Sequence, residues 1–148
     1  MNVLLTFRCS IILLLLSVSV SAQDFNLELR SKLKIPDQTT RGIWGYAKDG
    51  REYALVAGNN GMIIVDVTNP DSSWVATQIP NITNIELQEI KTYGHYAYAA
   101  TREGLLIVDL DGLPSSNLSY NLYNGNGPIW DQMKYIHTLH IDEKKGFL

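Results

Sequence analysis

Few residues of this chain are equipped for chemistry, and most of those are Asp and His. Asp66 and Asp109 close two similar apolar runs, and Asp111 follows two residues after Asp109. On a strand, side chains two apart face the same side, so Asp109 and Asp111 would present paired carboxylates. With Asp66, Asn69 and Asp71 nearby in type, these oxygens could serve a calcium ion. The competing role is local, because an aspartate at a strand end caps the next turn by accepting backbone N–H bonds. No complete calcium loop of alternating carboxylates is present. The histidines are His95, His137 and His140. His137 and His140, three apart, could share a zinc on a helix, but on a strand they point to opposite faces. Tyr135-Ile136, Leu139 and Ile141 favour a strand there. His137 therefore joins Asp66, Asp109 and Asp111 as a metal candidate, while His95 and His140 read as ligand contacts or as hydrogen-bonded residues between structural units.

Other catalytic arrangements are missing. The serines pair in loops as Ser72-Ser73 and Ser115-Ser116, without a nucleophile elbow. Glu86 and Glu89 could form a carboxylate pair, yet they stand in a stretch of ordinary surface composition. Gly125-Asn126-Gly127-Pro128 is a turn and not a phosphate loop. The only adjacent basic pair is Lys144-Lys145, and the net charge is −3, so nothing here follows a nucleic-acid backbone or a membrane surface. Aromatic residues are the better lead. Most of them should pack between units, but Trp74 and Trp130, beside turns, could line a binding surface on the loops. Asn81-Ile82-Thr83 and Asn117-Leu118-Ser119 match the glycosylation sequon.

The elements that would position these residues read as strands and turns. Residues 1–22 carry Arg8, the apolar run Ile11–Leu16 and the small-residue exit Val20-Ser21-Ala22, the signature of a secretory signal peptide. Cys9, the sole cysteine, leaves with it. Residues 23–42 form an N-terminal strand and linker, in which Leu27, Leu29, Leu33 and Ile35 alternate with charged residues until Pro36. Tyr53–Ala57 is a second strand, and Asn60-Gly61 suits the positive φ angles of a tight hairpin. It leads into Met62–Val65, a run apolar enough for burial on both faces. The pattern then recurs: Tyr53 aligns with Tyr96, Gly61 with Gly104, Val65 with Val108 and Asp66 with Asp109, all 43 residues apart. A third unit begins near Ile136, with Ile141–Leu148 laid on Ile90–Ala97. A 43-residue period of about four short strands is the size of a propeller blade. The expected fold is thus all-β, with blades at 43–86, 87–130 and a partial one at 131–148. Two blades and part of a third leave inter-blade faces exposed. Either further blades of the same protein complete the ring, making this chain a fragment, or several copies assemble one.

The pentapeptides Met62-Ile63-Ile64-Val65-Asp66 and Leu106-Ile107-Val108-Asp109, with Leu105 before it, resemble the LVIVD repeat. Three longer stretches, Trp44–Val56, Ile90–Tyr98 and His137–Glu143, are similar to the choice-of-anchor B family of secreted bacterial proteins. This resemblance implies a secreted β-propeller, often carried on a larger surface protein with a variable C-terminal anchor, and it brings no defined reaction and no catalytic residue.

Two functions are open at this stage. One is a secreted or cell-surface scaffold whose loops bind an extracellular protein or glycan, without insertion into the membrane after leader cleavage. The other is a propeller enzyme with a channel metal held by Asp and His of successive blades, since the fold hosts both. Intact-mass measurement of the natural secreted product should find a start at Gln23 and a mass above that of residues 23–148; a mass equal to those residues would turn the question to assembly of copies.

Overall fold

Short antiparallel hairpins build the described chain between Thr40 and Tyr123. The computed structural model describes residues 27–79 and 85–148. The leader segment 1–22 with Cys9, and the Asn81 sequon, lie outside the described residues. The strands are β1 (Thr40–Lys48), β2 (Arg51–Gly58), β3 (Gly61–Asp66), β4 (Trp74–Gln78), β5 (Leu87–Tyr93), β6 (Tyr96–Thr101), β7 (Leu105–Asp109) and β8 (Tyr120–Tyr123). They form two four-stranded sheets, ordered β1-β2-β3-β4 and β5-β6-β7-β8. The all-β expectation holds, and two up-and-down sheets of this size are consistent with consecutive blades of a partial propeller. Among the described residues no helix is long and apolar enough to cross a membrane.

Turn chemistry sets the registers. Between Lys48 and Arg51, Asp49 and Gly50 both take positive φ, which gives the β1–β2 hairpin a two-residue loop. Between β2 and β3 the left-handed position falls on Gly61 and not on Asn60. Gly61 and Gly104, 43 residues apart, have φ of +113° and +139°. Each also receives the carbonyl oxygen of a residue at the end of its blade's outermost strand. A Cβ would stand 2.6 Å from the Ile79 oxygen at Gly61 and 2.4 Å from the Tyr123 oxygen at Gly104. Only glycine fits both the dihedral and the space.

One core joins the two sheets. Tyr53, Leu55 and Ala57 of β2 and Met62 and Ile64 of β3 pack with Leu87, Ile90, Leu106 and Val108 of the second sheet. The intervening residues Ile63 and Val65 face the other way, against Val56, Ile35 and Val67, so β3 is buried on both sides as its composition requires. Polar contacts reinforce the joint. Trp44 Nε1 donates to Thr92 Oγ1 (3.0 Å), Lys91 Nζ sits 3.9 Å from the centre of the Trp44 ring, and Thr77 Oγ1 donates to the Ser116 carbonyl (3.0 Å).

Two expected segments differ. Residues 27–39 join no ladder, and Leu27 and Leu29 are 85% and 82% exposed. Alternation suits a strand, but a strand also needs an unpaired neighbour, and within the described residues none lies beside it. The segment instead lies against the first sheet through Arg30 with Asp71, Ser31 with Ser73, and Ile35. The third unit contributes one bridge, Asp142 with Phe147. Gly104→Ala should lower stability by about 2–3 kcal/mol in urea unfolding. Gly45→Ala, with nothing within 4 Å of the added methyl, should change it by less than about 0.5 kcal/mol.

Candidate functional site

Strand polarity sorts the candidate residues to the two ends of the blades. Asp66 and Asp109 end β3 and β7, opposite Tyr53 and Tyr96 at the beginnings of β2 and β6. Asp66, only 3% exposed, accepts the Thr68 N–H (3.0 Å) and Arg51 Nη1 (2.8 Å). Hydrogen bonds from Thr68, and then from Arg51, outweigh burial and hold its carboxyl below the usual range. Asp109 accepts the Asp111 N–H (2.9 Å), the same bond one blade later. The Asp111 carboxylate lies 3.2 Å from Lys48 Nζ, which also donates to the Asp111 carbonyl. These aspartates are turn caps and an inter-blade ion pair. His95, in the β5–β6 turn, stacks beside Tyr96 and stands 3.9 Å from Asp109. Trp74 opens β4 at this same end, half-exposed opposite Asp66.

His137 belongs to the other end. The Tyr135 and Ile136 N–H groups donate to the Arg102 and Thr101 carbonyls, which places His137 beyond the end of β6. The length of β6 thus separates it from Asp109 and Asp111, and among the described residues no group of three or more His, Cys, Asp or Glu could hold one metal ion. Trp130, exposed just after the short helix Gly127–Ile129, and exposed His140 follow β8 on the chain, but neither lines the cleft around His137.

Arg41, Gln88 and Arg102, which composition alone did not single out, form that cleft together with His137. Two adjoining open depressions, of about 300 and 390 Å³, share Arg41, Gln88 and His137. Arg41 and Gln88 are equivalent. Ile43 pairs with Val56 and Ile90 with Ala99, and both innermost strands carry a register shift just before those isoleucines. Arg41 and Gln88 sit in the shifted stretch of their blades, where a bulge re-aims side chains. Gly42 lets the two strands meet, since a Cβ there would lie 2.6 Å from the Gln88 oxygen. Glu86 lies between two cations, ion-paired to Arg41 and, at 3.4 Å, to Arg102.

Glu89 anchors the third unit. Its Oε2 accepts the Leu139 N–H (2.9 Å), and its Oε1 lies 3.0 Å from Lys91 Nζ. Thr138, then the Leu139 amide, then Lys91 draw its pKa down to about 2. A carboxylate so held is a fixed acceptor and a poor proton carrier. Glu86 and Glu89 are therefore each tied to cations or N–H groups, and Glu89, with its depressed pKa, does not serve as a general acid. The cleft offers guanidinium, amide, imidazole and hydroxyl groups beside the Glu89 carboxylate, a mixed lining of donors and acceptors that suits binding of a polar ligand.

Residues 51–76 and 86–126 match the family model of the LVIVD repeat, a repeat of the β-propeller type. No curated protein and no solved structure matches the chain.

Because the folded pKa of Glu89 is depressed, its contribution is complete above about pH 4.5 and fades as pH falls toward 2. With the side chain 31% exposed, that contribution is about 1–2 kcal/mol. Glu89→Gln should lower the urea midpoint accordingly at pH 6.5, and the gap from wild type should close as the titration is carried below pH 4.

Proposed function

We propose that these LVIVD blades belong to a secreted or cell-surface β-propeller that binds an extracellular protein or glycan, and that the cleft of Arg41, Gln88, Arg102 and His137 is its ligand surface. The observation that carries this reading is the convergence of three successive units on one cleft. Arg41 comes from the first blade, Gln88 from the equivalent place in the second, and His137 from the segment that follows. Side chains at equivalent positions of successive repeats are the usual way a repeat protein builds one continuous binding surface. Secretion rests on the leader sequence of residues 1–22, and attachment to a larger surface protein rests on the resemblance to the choice-of-anchor B family. Further blades of the same protein would cover the faces that these two leave open. No observation favours a channel metal, because Asp66, Asp109 and Asp111 lie at the opposite end of the sheets from His137.

The test uses the secreted protein on surfaces coated with polygalacturonate, chondroitin sulfate or gelatin. Binding to at least one of them should weaken at least about tenfold in Gln88→Ala/His137→Ala, about 1.4 kcal/mol, with the urea midpoint of unfolding unchanged. Trp74→Ala, at the other end of the blade, should bind as wild type. Binding lost through Trp74→Ala and kept in the double variant would move the ligand surface to the opposite face.

A further inference from the structure

Tyr135 stands in a conformation that an aromatic residue rarely takes. Its φ is +56°, in the left-handed region, and the residue is 78% exposed. Such a backbone is costly for a bulky side chain and persists only where the surroundings over-determine it. Here they do. The Met133, Tyr135 and Ile136 N–H groups donate to the Asn124, Arg102 and Thr101 carbonyls at 3.1, 2.9 and 2.9 Å, which pins the turn to the ends of β8 and β6. Lys134 Nζ adds an ion pair with Asp131 at 3.0 Å. So exposed a ring gains little from packing, and the core does not explain why a tyrosine fills a place that suits glycine.

The cleft does. Tyr135 lines it together with Arg41, Gln88, Arg102 and His137. Arg41 and Arg102 share one carboxylate, each reaching Glu86 through Nη2 alone, and the exposed Arg102 guanidinium has no other partner among the described residues. The second carboxylate, Glu89, is engaged by Lys91 and the Leu139 amide. Arg41, Arg102 and Lys91 against Glu86 and Glu89 leave one positive charge, in a chain whose net charge is −3. Apart from Tyr135 and Ile136 the lining is polar, and the two depressions adjoin along Arg41, Gln88 and His137. An open polar furrow with one exposed ring lacks the dry pocket in which a protein partner buries its anchoring side chain. It suits a run of sugar rings, whose C–H faces stack on an aromatic ring while their hydroxyls bond the polar lining.

We propose that the ligand of this cleft is an acidic polysaccharide, with the Tyr135 ring as the stacking platform for a hexuronate residue and Arg102, beside Arg41, as the seat of its carboxylate. This rests on the cleft being the ligand surface, as proposed above. A guanidinium presents paired N–H groups that match the two oxygens of a carboxylate. Glu86 positions both guanidinium groups and leaves their remaining N–H groups to the ligand. The left-handed backbone then has its cause: it holds the ring out at the cleft, at a cost in stability.

The test measures binding of the full secreted protein to polygalacturonate, alginate and hyaluronan, polymers that carry carboxylates and no sulfate. At least one should bind, and esterifying its carboxylates should weaken binding at least about tenfold. Tyr135→Gly should weaken it as much while the urea midpoint stays or rises, because glycine accepts the backbone and loses only the ring. Tyr135→Phe should bind within about twofold of wild type, and Arg102→Gln at least about tenfold more weakly. Unchanged binding in Tyr135→Gly with a lowered midpoint would make the tyrosine structural and overturn the assignment. Equal binding of the esterified polymer would overturn it too. Gelatin bound through Gln88 and His137, with none of the three polymers bound, would overturn the polysaccharide and leave the cleft standing. Polymer binding untouched by both Gln88→Ala/His137→Ala and Arg102→Gln would overturn the cleft as well.

Discussion

A small four-stranded sheet has two faces and can cover neither, and the rest of this molecule depends on how that is resolved. Leu55, Met62 and Ile64 are fully buried only because Leu87, Ile90, Leu106 and Val108 of the next sheet lie against them. Burying a side chain of this size stabilises by about 1.5–3 kcal/mol, so the joint between blades, and not either blade, is the stabilising unit. The polar bonds there are directional. Trp44 to Thr92, Lys48 to Asp111 and Thr77 to Ser116 fix how one blade sits on the next.

Those positions also explain where chemistry is and is not available. Once blades stack with their innermost strands side by side, strand starts cluster at one end and strand-closing aspartates at the other. The aspartate end is consumed by structure: Asp66 and Asp109 bond the amide two residues on, and Asp111 holds Lys48. At the other end bulges turn Arg41 and Gln88 into an open cleft that His137 completes.

Much of the fold was legible in the sequence. Tyr53 and Tyr96, Gly61 and Gly104, and Asp66 and Asp109 hold equivalent places, because turns and caps demand particular residue types. The equivalence of Arg41 and Gln88 was hidden. It lies at a spacing of 47, since the β1–β2 hairpin extends beyond the Tyr46–Tyr53 pair while β5–β6 ends at Tyr93–Tyr96. A gapless comparison at 43 passes over it, and a lone arginine at the start of a strand has ordinary surface composition. His137 stood out by residue type, but its grouping with Asp66, Asp109 and Asp111 ignored that antiparallel strands deliver their ends to opposite sides. Leu27–Ile35 reads as a strand because alternation reports the segment's own faces; pairing depends on a partner that its own sequence does not contain.

The claim that the two sheets share one core is tested most directly by equilibrium unfolding of single-tryptophan variants in urea. Trp44 reports the joint between blades, Trp74 the outer strand of the first, and Trp130 the segment after the second. One shared core predicts that all three curves coincide in midpoint and slope. A Trp74 transition separate from that of Trp130, with Trp44 following only one of them, would show that the blades fold independently and would contradict the account.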